Sequence, residues 1–125
     1  MFRTLLVIGT GGFLGSVLRF LVGQGMQRIF NTMFPIGTMT VNVIGSFIIG
    51  VVYSLAEREN LINPEMRMFL AVGFCGGFTT FSSFAFDQLN LLKDSGFLYL
   101  SLYLGGSVFL GLLSVYLGTQ VYKLF

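Results

Sequence analysis

Four long apolar runs organise the chain, at roughly residues 4–22, 36–56, 67–92 and 97–122. Each is longer than the about 18 apolar residues that mark a membrane-crossing helix, since about 20 residues span a hydrocarbon core of about 30 Å. Backbone polar groups in lipid must be satisfied within the segment, so helices are expected. Barrel strands would be shorter and would alternate in polarity, whereas these runs are continuous. The connections are polar. GQGMQRIFNTMFP (23–35) holds Arg28, Asn31 and Pro35. ERENLINPEM (57–66) holds three acids with Arg58 and Pro64, and KDSG (93–96) is a short turn. No connection is long enough to separate domains. The pattern predicts an all-α integral membrane protein: one domain over 1–125, four transmembrane helices, both termini on the same side.

Composition sharpens this reading. Of the 125 residues, 54% are hydrophobic and 10% charged, against about 25% charged in soluble domains. So much apolar surface does not fit inside so small a soluble body. Disorder and a coiled coil are excluded, and so is a nucleic-acid partner, because seven scattered cations make no basic face. With one cysteine, Cys75, and no histidine, the chain has no intrachain disulfide, no Cys/His metal cluster, no Ser-His triad and no histidine relay. The apolar N-terminal segment is expected to be retained as a packed helix, since no small-x-small cleavage site closes it. The orientation signal is weak. Arg3, Arg58, Arg67 and Lys123 fall on one side, and Arg19, Arg28 and Lys93 on the other. Insertion either way up and a fixed orientation set by a small bias both remain open.

LLVIGTGGFLG (5–15) imitates a dinucleotide-binding loop. That motif needs a preceding strand and an acid about 20 residues on, but no acid occurs before Glu57. Gly11 with Gly15, and Gly12 with Ser16, instead form small-xxx-small pairs that let helix backbones touch. Arg19 lies in or near the first span. Its position favours a structural or interface-reaching role over that of a cation drawing anions to a pore mouth. In the second span Thr38, Asn42, Ser46 and Gly50 share one helix face. Leaving the Asn42 amide dry and unpaired would cost several kcal/mol, on the order of its transfer penalty, so it is either interhelical glue or a pore-lining donor. Tyr99, Tyr103, Ser107 and Gly111 repeat the spacing in the fourth span. Tyr99 reads as an interfacial anchor, Tyr103 and Ser107 as deeper.

GFCGGFTTFSSFAFDQ (73–88) is the most informative stretch. Adjacent glycines followed by Thr79 and Thr80 make a poor helix centre, so a break is expected. Freed carbonyls at membrane depth are tolerated where they line a cavity, and they suit a small hard cation such as Na⁺. Phe81, Phe84 and Gln88 then share a face, flanked by Ser82 and Ser83. Aromatic edges are positive and can line an anion path, although core packing is the commoner use of such a stripe. Asp87 marks the membrane interface or tunes ion entry.

GGFLGSVLRF (11–20), GTMTVNVIGSFIIG (37–50) and GFCGGFTTFSSF (73–84) resemble, in order and spacing, the signature stretches of the Fluc/CrcB family of bacterial fluoride channels. The resemblance covers essentially the whole chain. It implies a multi-pass protein of the bacterial inner membrane, an antiparallel dual-topology homodimer with two fluoride pores. It implies a structural Na⁺ at the dimer centre, held by backbone carbonyls of the broken third helices, here Gly76 and Thr79. The pore phenylalanines match Phe81 and Phe84 and the pore asparagine Asn42. Ser82 and Ser83 match the hydroxyl track, Arg19 the vestibule arginine, and Asp87 a position where relatives carry Glu. Tyr103 and Ser107 match a fourth-helix polar track, and Thr38, on the helix face of Asn42, is placed with the pore set. The partners implied are a second copy of the chain, fluoride and membrane lipid.

Fluoride is small and strongly hydrated, so a selective path must replace its water with donors such as Asn42, hydroxyls and ring edges. Two rivals stand against this reading. A small dimeric multidrug or cation transporter needs a membrane-embedded carboxylate, and Asp87 is near a span end; Asp87→Asn discriminates by whether all transport is lost. A non-conducting structural subunit predicts no ion flux from the purified protein. An enzyme is the weakest alternative, because no nucleophile, base and metal set is visible.

Overall fold

The structure, a computed structural model, describes residues 1–58 and 61–124; Glu59 and Asn60 of the second loop, and Phe125, lie outside the described residues. Four spans are long and apolar enough to cross a membrane: Phe2–Phe30, Ile36–Glu57, Pro64–Asp94 and Phe97–Leu124. The first two are single helices, α1 (Phe2–Phe30) and α2 (Ile36–Glu57). The third is composite. It runs through α3 (Pro64–Arg67), π-type turns over Met68–Cys75 and α4 (Gly76–Phe78), and resumes as α5 (Phe81–Asp94). The fourth is α6 (Phe97–Thr119), ending in a 3₁₀ turn over Val121–Leu124. An all-helical chain of this kind fits a membrane protein.

α1 runs through residues 23–30, which the hydropathy pattern assigns to a connection. Tertiary contact accounts for the difference. Gly23 and Gly37 bring α1 and α2 into backbone contact, leaving no room for a Cβ on Gly37. The helix stops at Asn31, which takes the left-handed conformation (φ 42°, ψ 54°) and donates its N–H to the Gln27 carbonyl at 3.0 Å. Asparagine tolerates this conformation better than other non-glycine residues. The Gln27 side chain clamps the turn: Nε2 donates to the carbonyls of Thr32 (2.7 Å) and Phe34 (3.0 Å), and Oε1 accepts the Gly37 N–H at 3.1 Å. The third span starts more conventionally, with Asn63 Oδ1 accepting the Met66 N–H at 2.7 Å and Pro64 in the first helical position.

Glycines decide how the spans pack. Gly11 and Gly15 are buried against the third span. A Cβ on Gly11 would lie 2.9 Å from the Phe74 nitrogen, and one on Gly77 only 3.1 Å from both Gly12 Cα and Ser16 Oγ. Both small-xxx-small pairs of α1 therefore serve one crossing. At the α2–α6 crossing, a Cβ on Gly50 would sit 3.2 Å from Gly118 Cα. In hydrocarbon such close approach replaces the hydrophobic effect as the source of helix association. Few large side chains are buried, notably Val41, Val52, Phe78, Leu91 and Tyr103. Phe13, Phe20, Phe109, Leu112 and Tyr116 are exposed, as lipid-facing residues should be.

The ion pairs and cation–ring contacts among the described residues gather at one end. Arg3 pairs with Glu65 at 2.8 Å and Arg67 with Glu57 at 3.6 Å. Arg67 lies over the Tyr53 ring (4.8 Å to the centroid) and Arg58 over Tyr122 (4.7 Å), which it also hydrogen-bonds at 2.7 Å. The N-terminus, second loop and C-terminal turn thus share an end, and the Gln27 turn lies at the other.

Candidate functional site

Between Phe78 and Phe81 the backbone leaves helical geometry. Thr79 (φ −87°, ψ 157°) and Thr80 (φ −149°, ψ 120°) are extended. Asn42 of α2 engages this point from both ends of its amide. Its Nδ2 donates to the Thr80 carbonyl at 3.1 Å, and its Oδ1 accepts the Thr80 N–H at 2.8 Å. In an uninterrupted helix that N–H would bond the Gly76 carbonyl four residues back. Thr80 Oγ1 in turn accepts the Ser83 N–H at 3.1 Å, starting α5 as an N-cap. That N–H would otherwise bond the Thr79 carbonyl. The break therefore releases the carbonyls of Gly76 and Thr79, together with those of Gly77 and Phe78, from the helical ladder. The Cys75 carbonyl differs, because it accepts from both the Thr79 N–H (3.0 Å) and the Thr79 hydroxyl (2.8 Å). Gly45 lets α2 approach, since a Cβ there would overlap the Thr79 methyl group.

Two recesses flank the extended residues. One, of about 300 Å³, is lined by Asn42, Ser46, Thr79, Thr80, Phe81 and Phe84, among others. The other, of about 330 Å³, brings Arg19 together with Thr38, Thr80 and Ser83. No carboxylate pairs with Arg19 among the described residues. Thr80 borders both recesses.

Beyond the first recess a line of rings runs along the bundle. Phe81 and Phe84 are 6.0 Å apart between centroids, Phe84 and Tyr103 5.1 Å, and Tyr103 meets Phe34 edge-on at 5.4 Å. Phe81 is 79% exposed and has little of its own chain around it, whereas Tyr103 is fully buried. The Tyr103 hydroxyl donates to Asp87 Oδ2 at 3.1 Å. Ser82 is exposed, with its hydroxyl 3.3 Å from that of Thr80. Ser107 Oγ is buried without a hydrogen-bond partner among the described residues and borders neither recess. Gly76 is exposed, with open space where a Cβ would stand.

The structure thus gathers Asn42, Thr79, Phe81 and Phe84 on one side of the extended pair, and Arg19, Thr38 and Ser83 on the other. Asp87 and Tyr103 form a third group reached through Phe84. Sequence reasoning placed Thr80 at the break without giving it a role, although its backbone and hydroxyl hold the arrangement together. Phe34 was missed, since nothing in a loop phenylalanine signals that it will meet a ring of the fourth span.

The freed carbonyls of Gly76 and Thr79 are chemically suited to a small hard cation, which prefers oxygen ligands. Among the described residues no group of His, Cys, Asp and Glu could hold a metal instead.

A sequence model of the family described as "CrcB-like protein, Camphor Resistance (CrcB)" matches residues 6–119. A protein of Chlorobium phaeobacteroides named "Fluoride-specific ion channel FluC" is 46% identical over 98% of this chain and 95% of its own length. A protein of the same name from Chlorobium chlorochromatii is 51% identical over 91% of this chain and 88% of its own. One from Campylobacter jejuni, also so named, is 42% identical over 98% of this chain and 100% of its own. Matches of this depth run through every span and both flanks of the Asn42–Thr80 contact, and the chain belongs to the CrcB family.

Proposed function

We propose that this chain is a fluoride-selective channel that lets fluoride leave the bacterial cytoplasm passively across the inner membrane. The observation that carries the reading is that relatives named fluoride-specific ion channels match 91–98% of the chain at 42–51% identity. The site chemistry supports it. Fluoride gives up water only where donors replace it. Asn42 uses one amide hydrogen on Thr80 and keeps the second. The hydroxyls of Thr38, Ser82 and Ser83 and the edges of Phe81 and Phe84 supply further positive contacts without a full charge. Tyr103, whose hydroxyl donates to Asp87, and Ser107 are the polar residues that the fourth span adds to this set. A fixed cation in the constriction would hold the ion too tightly, since conduction needs binding weak enough to release. Arg19 sits instead in the second recess, with Thr38 and Ser83, where it raises the local anion concentration. The membrane potential then drives the anion, at about 2.3 kcal/mol per charge per 100 mV.

The functional unit in this reading is an antiparallel homodimer with two pores. The exposure of Gly76 and Phe81 supports it, because a second copy would cover them. The third helix is read as broken at Thr79 and Thr80, so that its carbonyls face the partner. Gly76 and Thr79 would hold a Na⁺ there, and such an ion supplies fixed positive potential that does not titrate. The weak charge bias between the two faces permits the dual topology that an antiparallel pair requires.

The test is reconstitution of the purified protein alone into liposomes loaded with fluoride or chloride, with efflux followed by ion-selective electrodes. Fast fluoride efflux is expected, with none for chloride, and strong loss in Asn42→Ala, Phe81→Ile and Phe84→Ile. No efflux of either ion from folded protein would overturn the reading.

A further inference from the structure

Gln88, like Ser107, is a buried polar residue that the arrangement leaves unexplained, and it is the one that carries two such atoms. Both polar atoms of its amide are buried, and neither has a hydrogen-bond partner among the described residues. An amide in that state costs on the order of several kcal/mol in hydrocarbon, so a side chain serving only to fill space would be apolar. Glue between helices would have a partner, as Asn42 and Gln27 do. The place of Gln88 in α5 narrows what could meet it. It lies four residues, one helical turn, beyond Phe84, which borders the recess at Asn42. It directly follows Asp87, which receives the Tyr103 hydroxyl. Asp87 also lines, with Asn90, Leu91 and Asp94 further along the helix, a third recess of about 200 Å³ near the end of α5. Gln88 itself lines neither of these recesses; along α5 it stands between Phe84, which lines the first, and Asn90, Leu91 and Asp94, which line the third.

We infer that Gln88 is a second amide on the ion path, placed where the anion leaves the phenylalanines and begins to regain water. This rests on the fluoride-channel reading. Its N–H groups donate to the passing anion, and its carbonyl accepts from the first returning water. Tyr103 is poorly placed to do this, because its hydroxyl proton is directed to the Asp87 carboxylate, an acceptor that repels anions. An uncharged donor beside that carboxylate gives the anion a contact that offsets the repulsion. It does so without the trapping that a lysine or arginine would cause.

The experiment compares the native protein with Gln88→Met, Gln88→Glu and Gln88→Asn. Each is measured for fluoride efflux from liposomes and for thermal unfolding in detergent. Methionine keeps the length and volume but removes the amide. Fluoride efflux is expected to fall about ten- to a hundred-fold in Gln88→Met, the worth of one hydrogen bond to a charged group, while the unfolding temperature holds or rises. Gln88→Glu, an acceptor beside Asp87, is expected to lose more, and Gln88→Asn to keep part of the flux. Native efflux with an unchanged rate in Gln88→Met would overturn the inference while sparing the channel reading. A flux loss accompanied by a lower unfolding temperature would assign Gln88 to packing and overturn it equally. Absence of efflux from the native protein would instead remove the channel reading on which it rests.

Discussion

Both ends of the Asn42 amide are engaged by the backbone of one residue, Thr80. Substitutions there are therefore expected to separate two roles. Asn42→Ala strands a Thr80 N–H and a carbonyl together, and should lower the stability of the folded chain by about 1–3 kcal/mol as well as the flux. Asn42→Asp keeps an acceptor for the Thr80 N–H but removes both donors and adds negative charge. It should retain more stability than the alanine variant and yet pass essentially no fluoride. Thermal unfolding in detergent beside liposome efflux checks both. Native stability in Asn42→Ala would mean that the clamp contributes nothing to holding the extended residues. The polarity of Asn42 was legible from the sequence, because an amide on a Val/Ile/Phe helix demands a partner. Which of its two readings applied was not. In the structure the glue is real, and one amide hydrogen remains for another acceptor.

At the scale of elements, glycine placement governs the packing, and not all glycines matter alike. Gly15 faces the third span so closely that a Cβ would lie 2.9 Å from the Phe78 nitrogen, against backbone that cannot swing aside. Gly9, on the same helix, has open space around it. Gly15→Ala is expected to cost about 1–3 kcal/mol through forced separation of the two helices. Gly9→Ala should be neutral, or gain up to about 1 kcal/mol from helix propensity. Unfolding of the two variants side by side measures the contrast. The GxxxG spacing of Gly11 and Gly15 announced a contact face from sequence alone. The length of α1 was not legible in the same way. Gly23, Gln24, Gly25 and Gln27 read as a loop by composition, yet a contact with Gly37 and the Gln27 clamp keep the chain helical to Phe30.

For the whole molecule, the exposure of Phe81 is informative. The residue is 79% exposed although it lines the recess that holds Asn42 and Thr80, polar groups for which lipid would be a poor solvent. A second copy across that face meets the difficulty. In detergent the protein is expected to have twice the 13.8 kDa chain mass by light scattering. Phe81→Lys, which puts a charge on that face, should shift it toward the single-chain mass. If the proposed dimer is held by Na⁺, replacing that ion with a bulky organic cation should lower the particle mass and leave the fold of each chain intact, as read by circular dichroism. A native particle of single-chain mass would remove the two-pore assembly from the proposed function.

The sequence by itself determined that this is a helical membrane protein, where its spans lie (apart from the C-terminal extension of α1), and which short stretches carry polar chemistry. These follow from local quantities: the length of an apolar run against the thickness of a bilayer, the period of a helix, and the poor helix propensity of Gly-Gly followed by Thr-Thr. The tertiary structure alone decided that Asn42 bonds both backbone groups of Thr80, that Thr80 Oγ1 caps α5, and that Phe34, Tyr103, Phe84 and Phe81 form one line. It also decided that Gln88 is buried without a partner among the described residues. Each of these depends on where residues far apart in the chain meet. That is set by backbone contact at Gly11, Gly15, Gly37 and Gly50, where the absence of a side chain marks a site of approach without naming what approaches.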